Sequence, residues 1–347
     1  MKRKFYNFVR IILSFYNHFF FKKLTVIGKE KIPNDGAIIF SPNHQSALLD
    51  PLLIGVTCGK RLYSLTRSDI FRKSFLWILD AMQTLPIYRM RDGFENLHLN
   101  NKTFERCYKL LKFKKHLMIF SEGKHHDNYY LMPISKGSSR IGLEGLKKFP
   151  KTKIYLQAVG INYGSHTHPF HNCTIVYGKP IKLNEFLDPY GKDPIKTLNR
   201  VRLKLEDEMK ECLWLPNFSK EYIIKKNLIN YDSTKLEFKE LKKKISQNDI
   251  KLKNNKSKLL IEEIAIRFFS VFNLIPLRLI SLILKKIDDR VFHLSVKYLL
   301  GFIIFPLWWT ILFLISNYFF NLILSLMFIS LLVVFLFLRQ FLIIKYK

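Results

Sequence analysis

Between residues 24 and 176, short apolar runs rich in β-branched and aromatic residues alternate with longer stretches of helical periodicity. Such runs, bounded by Gly, Pro, Asn and Asp, predict strands. The predicted strands cover residues 24–28, 38–40, 61–66, 117–120, 154–163 and 173–176. The predicted helices cover residues 68–80, 94–115 and 138–148, and a further helix starts at Asp50. Strands that alternate with helices predict an α/β fold, with helices packed on a sheet.

A second pattern dominates the C-terminal part of the chain. Residues 299–338 contain no charged side chain, and this stretch is about twice the roughly 20 residues that a membrane-spanning helix needs. We therefore predict two spans, at about 299–316 and 318–338, with a polar turn at 316–318. Lys and Arg flank the pair on both sides, which predicts that both ends lie in the cytoplasm. The alternative is a buried helical hairpin in a soluble protein.

These patterns divide the chain into four segments. Residues 1–23 predict an interfacial membrane helix, with an amphipathic helix packed on the domain as the alternative. Residues 24–217 form the predicted catalytic domain. Residues 218–261 are Lys-rich and predict a charged, solvated helical linker that is partly disordered. Residues 262–347 form the predicted membrane region, in which 262–287 are interrupted by charged residues and a proline and predict a re-entrant or interfacial segment.

The composition is strongly basic, with 57 Lys and Arg against 27 Asp and Glu and a formal net charge of +30. Such a surface suits nucleic acid, anionic lipid headgroups or phosphorylated small molecules, and charge alone does not choose among them. Nucleic-acid binding is the least favoured, because the basic residues lie beside a predicted membrane hairpin and no recognition motif is present.

The cysteine and histidine residues do not predict a metal site. The four cysteines have no C-x-x-C spacing and fall in apolar segments, so we expect reduced, buried thiols and no disulfide framework. Histidines cluster in two loops, but without the spacing of a known ligand set. The histidines concerned are His125, His126, His166, His168 and His171.

An Asn43-His44 pair follows the strand at 38–40 and carries the candidate chemistry. Asp50 followed by Pro51 predicts a helix start with Asp50 as the N-cap. A carboxylate that takes the Nδ1 proton of a nearby histidine holds the imidazole in one tautomer and leaves the other nitrogen to accept a proton. The alternative is that Asp50 is only a cap and His44 only a loop residue.

The order of four sequence blocks resembles the lysophospholipid acyltransferase family, which includes glycerol-3-phosphate and 1-acyl-glycerol-3-phosphate acyltransferases. The blocks are Asn43-His44 with Asp50, then Arg89, then Phe120-Ser121-Glu122-Gly123, then the strand 156–163. The resemblance covers about residues 20–215, including Gly178-Lys179-Pro180. It implies a mixed sheet flanked by helices, the glycerolipid acyltransferase domain.

The resemblance also implies a role for each site residue. His44 would deprotonate a glycerol hydroxyl that attacks an acyl thioester, and Asp50 would orient the imidazole. Arg89 would bind the acceptor phosphate. The remaining substrate-binding residues that the resemblance implies are Asn43, Glu122 and Gly123. Independently of the resemblance, we assign Lys124 to substrate binding, because it would add a second positive charge. Neither a metal nor a bound cofactor is expected, and the co-substrate would be acyl-CoA or acyl carrier protein.

The implied activity is acylation of 1-acyl-glycerol-3-phosphate to phosphatidic acid by an integral membrane enzyme whose catalytic domain faces the cytoplasm. The expected partners are membrane lipids, the acyl thioester and the phosphorylated glycerol acceptor. Two departures keep the acceptor open. Five residues rather than four separate His44 from Asp50, and Ser121 replaces the usual proline. The alternatives are a glycerol-3-phosphate acyltransferase, an acyltransferase for another lyso-lipid such as an amino-acid-containing one, and a catalytically silent lipid-binding protein.

Overall fold

The computed structural model describes residues 2–89, 94–248 and 260–345. The strands are β1 (Lys23–Ile27), β2 (Ala37–Pro42), β3 (Leu62–Arg67), β4 (Thr84–Ile87), β5 (His116–Met118), β6 (Ile154–Tyr163) and β7 (Asn172–Lys182). The helices are α1 (Lys2–Phe20), α2 (Leu49–Thr57), α3 (Leu76–Ala81), α4 (Asn100–Lys112), α5 (Gly137–Lys148), α6 (Leu187–Lys192), α7 (Pro194–Glu211), α8 (Tyr222–Asn227), α9 (Phe238–Gln247), α10 (Leu260–Val271), α11 (Leu274–Lys285), α12 (Val291–Phe319) and α13 (Leu322–Lys345).

Within the described residues, seven strands form one sheet in the order β1-β7-β6-β2-β5-β3-β4. The β6–β7 pair is antiparallel, and the other neighbours are parallel. The sheet is therefore mixed and flanked by helices, as predicted. From β2 the chain moves to β3 on one side, and from β5 it moves to β6 on the other. In such sheets a crevice for ligands opens at the carboxyl ends of the strands where the chain reverses direction.

Helices cover both faces of the sheet, so successive residues of the central strand enter two different cores. Ala37 and Ile39 of β2 pack in the core that includes α4, α5 and α7. Ile38 and Phe40 pack in the opposite core with α1, α2 and the first turns of α12. All four side chains are fully buried. Burial on both faces explains why this strand is a continuous apolar run.

Two strand predictions need correction. Residues 84–87 form β4, a strand that is missing from the predicted set. Proline cannot donate to a ladder, but β4 is the edge strand and pairs on one side only, where it is tolerated. The central strand β2 continues through Ser41 to Pro42, which pair with β6, whereas we expected it to stop at Phe40.

The prediction of a solvated linker at 218–261 is wrong for its first part. Helices α8 and α9 pack on the domain, and Phe238, Leu241 and Ile245 join its core with at most 9% exposure. The Lys-rich composition concealed an amphipathic helix, because these three apolar residues recur at helical spacing on one face. Residues 249–259 lie outside the described residues.

The C-terminal apolar region contains two helices long and apolar enough to cross a membrane, α12 and α13. The turn between them lies at Phe320 and Asn321, slightly later than predicted. Helices α10 and α11 meet at a bend of 99°, a geometry that suits the predicted re-entrant segment. One face of α1 packs into the domain through Leu13 and Phe20, while its other face exposes large apolar side chains.

The four cysteines, Cys58, Cys107, Cys173 and Cys212, are free and buried, as predicted. Burial raises the pKa of each thiol. These thiols are therefore protonated and poorly nucleophilic at neutral pH.

His171 makes the stability of the domain depend on pH. Its ring is buried, with Nδ1 2.5 Å from the His168 carbonyl oxygen, and burial lowers its pKa to about 3. Between about pH 6.5 and 3, the unfolded chain binds a proton that the folded chain does not. The free energy of unfolding should fall with decreasing pH in this window, by at most about 1.4 kcal/mol per pH unit from this residue.

We predict that His171→Gln loses less thermal stability than the wild type as the pH is lowered from 7 to 4.5. The measurement is the melting temperature of both proteins in one detergent at several pH values. Melting temperatures that fall in parallel would show that His171 is not responsible.

Candidate active site

The predicted site residues lie at the carboxyl ends of neighbouring parallel strands. His44 follows β2, Glu122 follows β5, and Arg89 follows β4. These ends share one edge of the sheet, at the crevice where the chain direction reverses. The topology therefore brings together side chains that are far apart in the sequence.

His44 and Asp50 form a direct hydrogen bond, with 2.8 Å between Nδ1 and Oδ2. Asp50 is fully buried, while the His44 side chain retains 17% exposure. Because a carboxylate accepts hydrogen bonds, this contact places the imidazole proton on Nδ1. Nε2 is then the nitrogen that can take a proton from a substrate.

Two further donors fix the Asp50 carboxylate. Its Oδ2 accepts a hydrogen bond from the Ser46 backbone N–H at 2.8 Å, and its Oδ1 accepts one from the Tyr163 hydroxyl at 2.7 Å. Burial and the Asp50 charge raise the pKa of Tyr163 well above its ordinary value, so the hydroxyl remains a donor. Our prediction that Asp50 is the N-cap of α2 was wrong. Helix α2 begins before Asp50, and the Asp50 carboxylate binds the preceding loop instead.

The loop between His44 and Asp50 contains the extra residue noted in the sequence. Ala47 adopts a positive φ of 40°, which an L-residue rarely does outside tight turns. Ser46 O also accepts a backbone bond from Leu49 N at 2.9 Å. The turn absorbs the extra residue, and the His44 and Asp50 side chains still meet.

Glu122 braces the His44 loop. Its Oε2 accepts from the His44 backbone N–H at 2.7 Å, and its Oε1 accepts from Met132 N at 2.9 Å and lies 3.0 Å from His126 Nε2. The neighbouring Phe120 ring stacks on the His44 imidazole at a centroid distance of 3.9 Å. Both Glu122 oxygens therefore hold the loop that carries His44, and a contact of Glu122 with glycerol stays a prediction.

Asn43 links two strands of the sheet. It is fully buried, and its amide exchanges two hydrogen bonds with the backbone of Ile161. It fastens the end of β2 to β6, while its predicted contact with the substrate stays a prediction. The sequence gives no sign of this link, because the partner is a backbone group distant along the chain.

Gly123 and Lys124 fit their predicted positions beside the crevice. Gly123 has a φ of 71°, and a Cβ there would meet no atom within 4 Å, so the space next to its main chain is open to a ligand. Lys124 is exposed. A cation at the rim can attract an anionic substrate, although the geometry gives it no fixed position.

Arg89 and Arg67 form a basic cluster at the ends of β4 and β3. Arg67 Nε donates a hydrogen bond to Asp69 Oδ1 at 2.6 Å. This hydrogen bond lowers the pKa of Asp69, and the charge of Arg89 lowers it further. Arg67 was not among the predicted site residues. Its only sequence signal is its position at the last residue of a strand.

The first turns of α12 contact the candidate site directly. Ser295 Oγ accepts from Leu49 N at 2.9 Å and donates to the Ser46 carbonyl oxygen. The ring centroids of His125 and His44 are 5.7 Å apart. His125 Nε2 lies 3.0 Å from Oδ2 of Asp289, which comes just before the helix. Burial lowers the pKa of His125. The chain beyond residue 262 therefore supports the same loop that the sequence assigned to catalysis.

Residues 23–162 match the family model "Acyltransferase". This range contains His44, Asp50, Arg89 and Glu122, in the arrangement described above. Residues 23–162 therefore form a domain of the acyltransferase type.

Two relatives carry more specific names. The chain is 27% identical over 112 residues to "Glycerol-3-phosphate O-acyltransferase 2" of Saccharomyces cerevisiae. This alignment covers 32% of the chain and 15% of the yeast protein. The crystal structure of the 1-acyl-sn-glycerophosphate (LPA) acyltransferase PlsC from Thermotoga maritima matches with a TM-score of 0.43 and 16% identity, over 61% of this chain and 80% of that chain.

Tyr163→Phe removes a hydroxyl that holds Asp50, and it should show whether this hydrogen bond matters for catalysis or only for folding. Removing a hydrogen bond to a charged group costs about 1.5–3 kcal/mol, so we predict that kcat for acyl transfer falls about ten- to hundredfold. KM should change little, because Tyr163 is buried behind Asp50 and does not face substrate. Steady-state kinetics with the acceptor varied measures both constants.

The matched control is Tyr177→Phe, which removes another buried hydroxyl, one that bonds Thr57 at 2.8 Å and not Asp50. The control should keep kcat within about twofold of the wild type. Equal losses in the two variants would mean that the Tyr163 hydroxyl contributes only to stability.

Proposed function

We propose that this protein transfers a fatty acyl group from an acyl thioester to the free hydroxyl of 1-acyl-glycerol-3-phosphate, forming phosphatidic acid. The observation that carries the proposal is the His44–Asp50 hydrogen bond, which lies at the same end of the parallel strands as Arg67 and Arg89. The acyltransferase family match supports the reaction type. The identity of the acceptor rests on the surroundings of the site.

The reaction follows from the fixed tautomer of His44. Nε2 takes the proton of the acceptor hydroxyl as its oxygen attacks the thioester carbonyl carbon, and the imidazolium is stabilised by Asp50. A C–O bond forms, the C–S bond breaks, and the leaving thiolate takes the proton back from Nε2. The products are an ester and a free thiol. No acyl-enzyme is required, because the hydroxyl itself is the nucleophile.

The acceptor phosphate would bind at the basic cluster of Arg67 and Arg89. Arg89 would donate paired hydrogen bonds to the phosphate oxygens, while Arg67, whose Nε and Nη2 donate to Asp69, would add positive charge. Both residues follow or end neighbouring strands on the His44 side of the sheet. Lys124 at the exposed rim adds a third positive charge. A glycerol phosphate between this cluster and His44 would present its hydroxyl to Nε2.

An acceptor that already carries an acyl chain suits the position of the site. The catalytic loop is hydrogen-bonded to α12, one of the two helices long enough to cross a membrane. Leu48 of the same loop exposes 47% of its surface. With Lys and Arg on both flanks of the hairpin, we expect this side to face the cytoplasm. A lipid in the adjacent leaflet could then reach His44 without leaving the bilayer.

Glycerol-3-phosphate is the second candidate acceptor, because the yeast relative bears that name. It carries the same phosphate, so the basic cluster would serve either molecule. Another lyso-lipid, such as an amino-acid-containing one, would lack the group that Arg67 and Arg89 suit best. The donor would be acyl-CoA or acyl carrier protein.

The purified full-length protein in lipid should release thiol when offered 1-acyl-glycerol-3-phosphate and an acyl thioester. Thiol release and product mass are measured for each acceptor with each donor. We expect the rate with 1-acyl-glycerol-3-phosphate to exceed the rate with glycerol-3-phosphate. A preference for glycerol-3-phosphate would mean that the protein catalyses the first acylation of glycerol-3-phosphate rather than the second. The absence of transfer to any phosphorylated glycerol would contradict the proposal.

Arg89→Gln should raise the KM for the phosphorylated acceptor about tenfold or more, because a charged hydrogen bond contributes about 1.5–3 kcal/mol. The KM for the thioester should stay unchanged. Lys147→Gln removes an exposed charge on α5 and serves as the control for the overall loss of positive charge. Equal effects in the two variants would show that general electrostatic attraction, rather than a phosphate site, determines KM.

A further inference from the structure

A large apolar cavity lies away from the His44 crevice, between α1 and the C-terminal helices. Its volume is about 650 Å³, within the usual size of a small-molecule site. Its lining comes from α1, the loop 168–170, α11, α12 and α13. These segments lie outside the family match at 23–162. The cavity is therefore lined by segments other than the matched domain.

The depth and lining of the cavity suit a hydrocarbon chain. Along α12 the lining runs from Lys297 to Trp309, which corresponds to about 18 Å at the rise of an α-helix. Aromatic and aliphatic side chains dominate this surface, among them Phe305 and Phe337. The walls include both helices that are long and apolar enough to cross a membrane. A bilayer around these helices would supply acyl chains directly to the cavity.

Two cations stand at one end of the cavity. Lys297 lies near the start of α12 and Arg339 near the end of α13. Because these helices form a hairpin joined at residues 320–321, both side chains lie at the end that faces the domain. Among the described lining residues no carboxylate accompanies them. The cavity thus combines an apolar interior with a positively charged mouth.

Hydrogen bonds hold both cations at the cavity. Lys297 Nζ donates to the Thr167 carbonyl oxygen at 2.6 Å, and Arg339 Nε donates to Ser270 Oγ at 2.8 Å. These contacts orient the two side chains at the charged end of the cavity. Basic pockets between membrane helices on the cytoplasmic side bind anionic lipid headgroups.

We propose that this cavity binds one anionic phospholipid of the bilayer, with an acyl chain in the apolar interior and the phosphate between Lys297 and Arg339. The lipid is distinct from the acceptor, whose phosphate is assigned to Arg67 and Arg89 at the strand ends. Lys297 lies two residues beyond Ser295, which holds the catalytic loop. The bound lipid would therefore brace α12 where it supports the His44 loop.

The test is native mass spectrometry of the full-length protein released from nanodiscs that contain equal amounts of phosphatidylglycerol and phosphatidylcholine. The wild type should retain one phosphatidylglycerol in preference to phosphatidylcholine. Lys297→Gln and Arg339→Gln should each reduce this retention about fivefold. Arg339→Lys keeps the charge and should restore most of it. Val333→Phe, which fills the cavity from α13, should reduce retention of both lipids.

The controls separate this site from the active site and from the overall charge. Lys285→Gln removes an exposed cation at the end of α11, outside the lining, and should leave lipid retention unchanged. Arg89→Gln should also leave it unchanged. Loss of the lipid in Arg89→Gln would place it at the acceptor site and overturn the proposal. Equal retention of the two lipids by the wild type, or unchanged retention in Lys297→Gln and Arg339→Gln, would overturn it as well.

Discussion

The structure depends on keeping a buried carboxylate hydrogen-bonded to one histidine. A charged group away from water must be paired and hydrogen-bonded, or it costs several kcal/mol. Asp50 meets this requirement through His44, the Ser46 backbone and Tyr163. The same contacts fix the imidazole tautomer. The contacts that stabilise the buried Asp50 carboxylate therefore also leave Nε2 of His44 as the nitrogen that can accept a proton.

The domain and the C-terminal helices meet at the loop that this pair defines. Ser295 binds the loop from α12, and Glu122 binds it from the end of β5. The loop is thus held from the sheet on one side and from a helix long enough to cross a membrane on the other. The candidate site therefore lies next to the part of the chain that is apolar enough to enter a bilayer.

The sequence predicted the parts of the structure that local pattern determines. The strand at 154–163 and the helix at 138–148 were placed within a residue, because their apolar spacing and turn residues agree. The pair His44 and Asp50 was found through loop chemistry and the order of the blocks. The roles of Asn43, Glu122, Tyr163 and Ser295 could not be predicted. Each depends on a partner distant in sequence, which only the assembled fold supplies.

The central claim, that His44 and Asp50 act together as the general base, is tested most directly by the kcat of His44→Ala and Asp50→Asn. The substrates are 1-acyl-glycerol-3-phosphate and an acyl thioester. The melting temperature of each variant is the control for folding. A positioned general base contributes about 10²- to 10⁴-fold. We predict that each variant loses at least about a hundredfold, and that the double variant is little worse, because the two residues act as one unit. A folded His44→Ala protein that keeps most of its turnover would contradict the account.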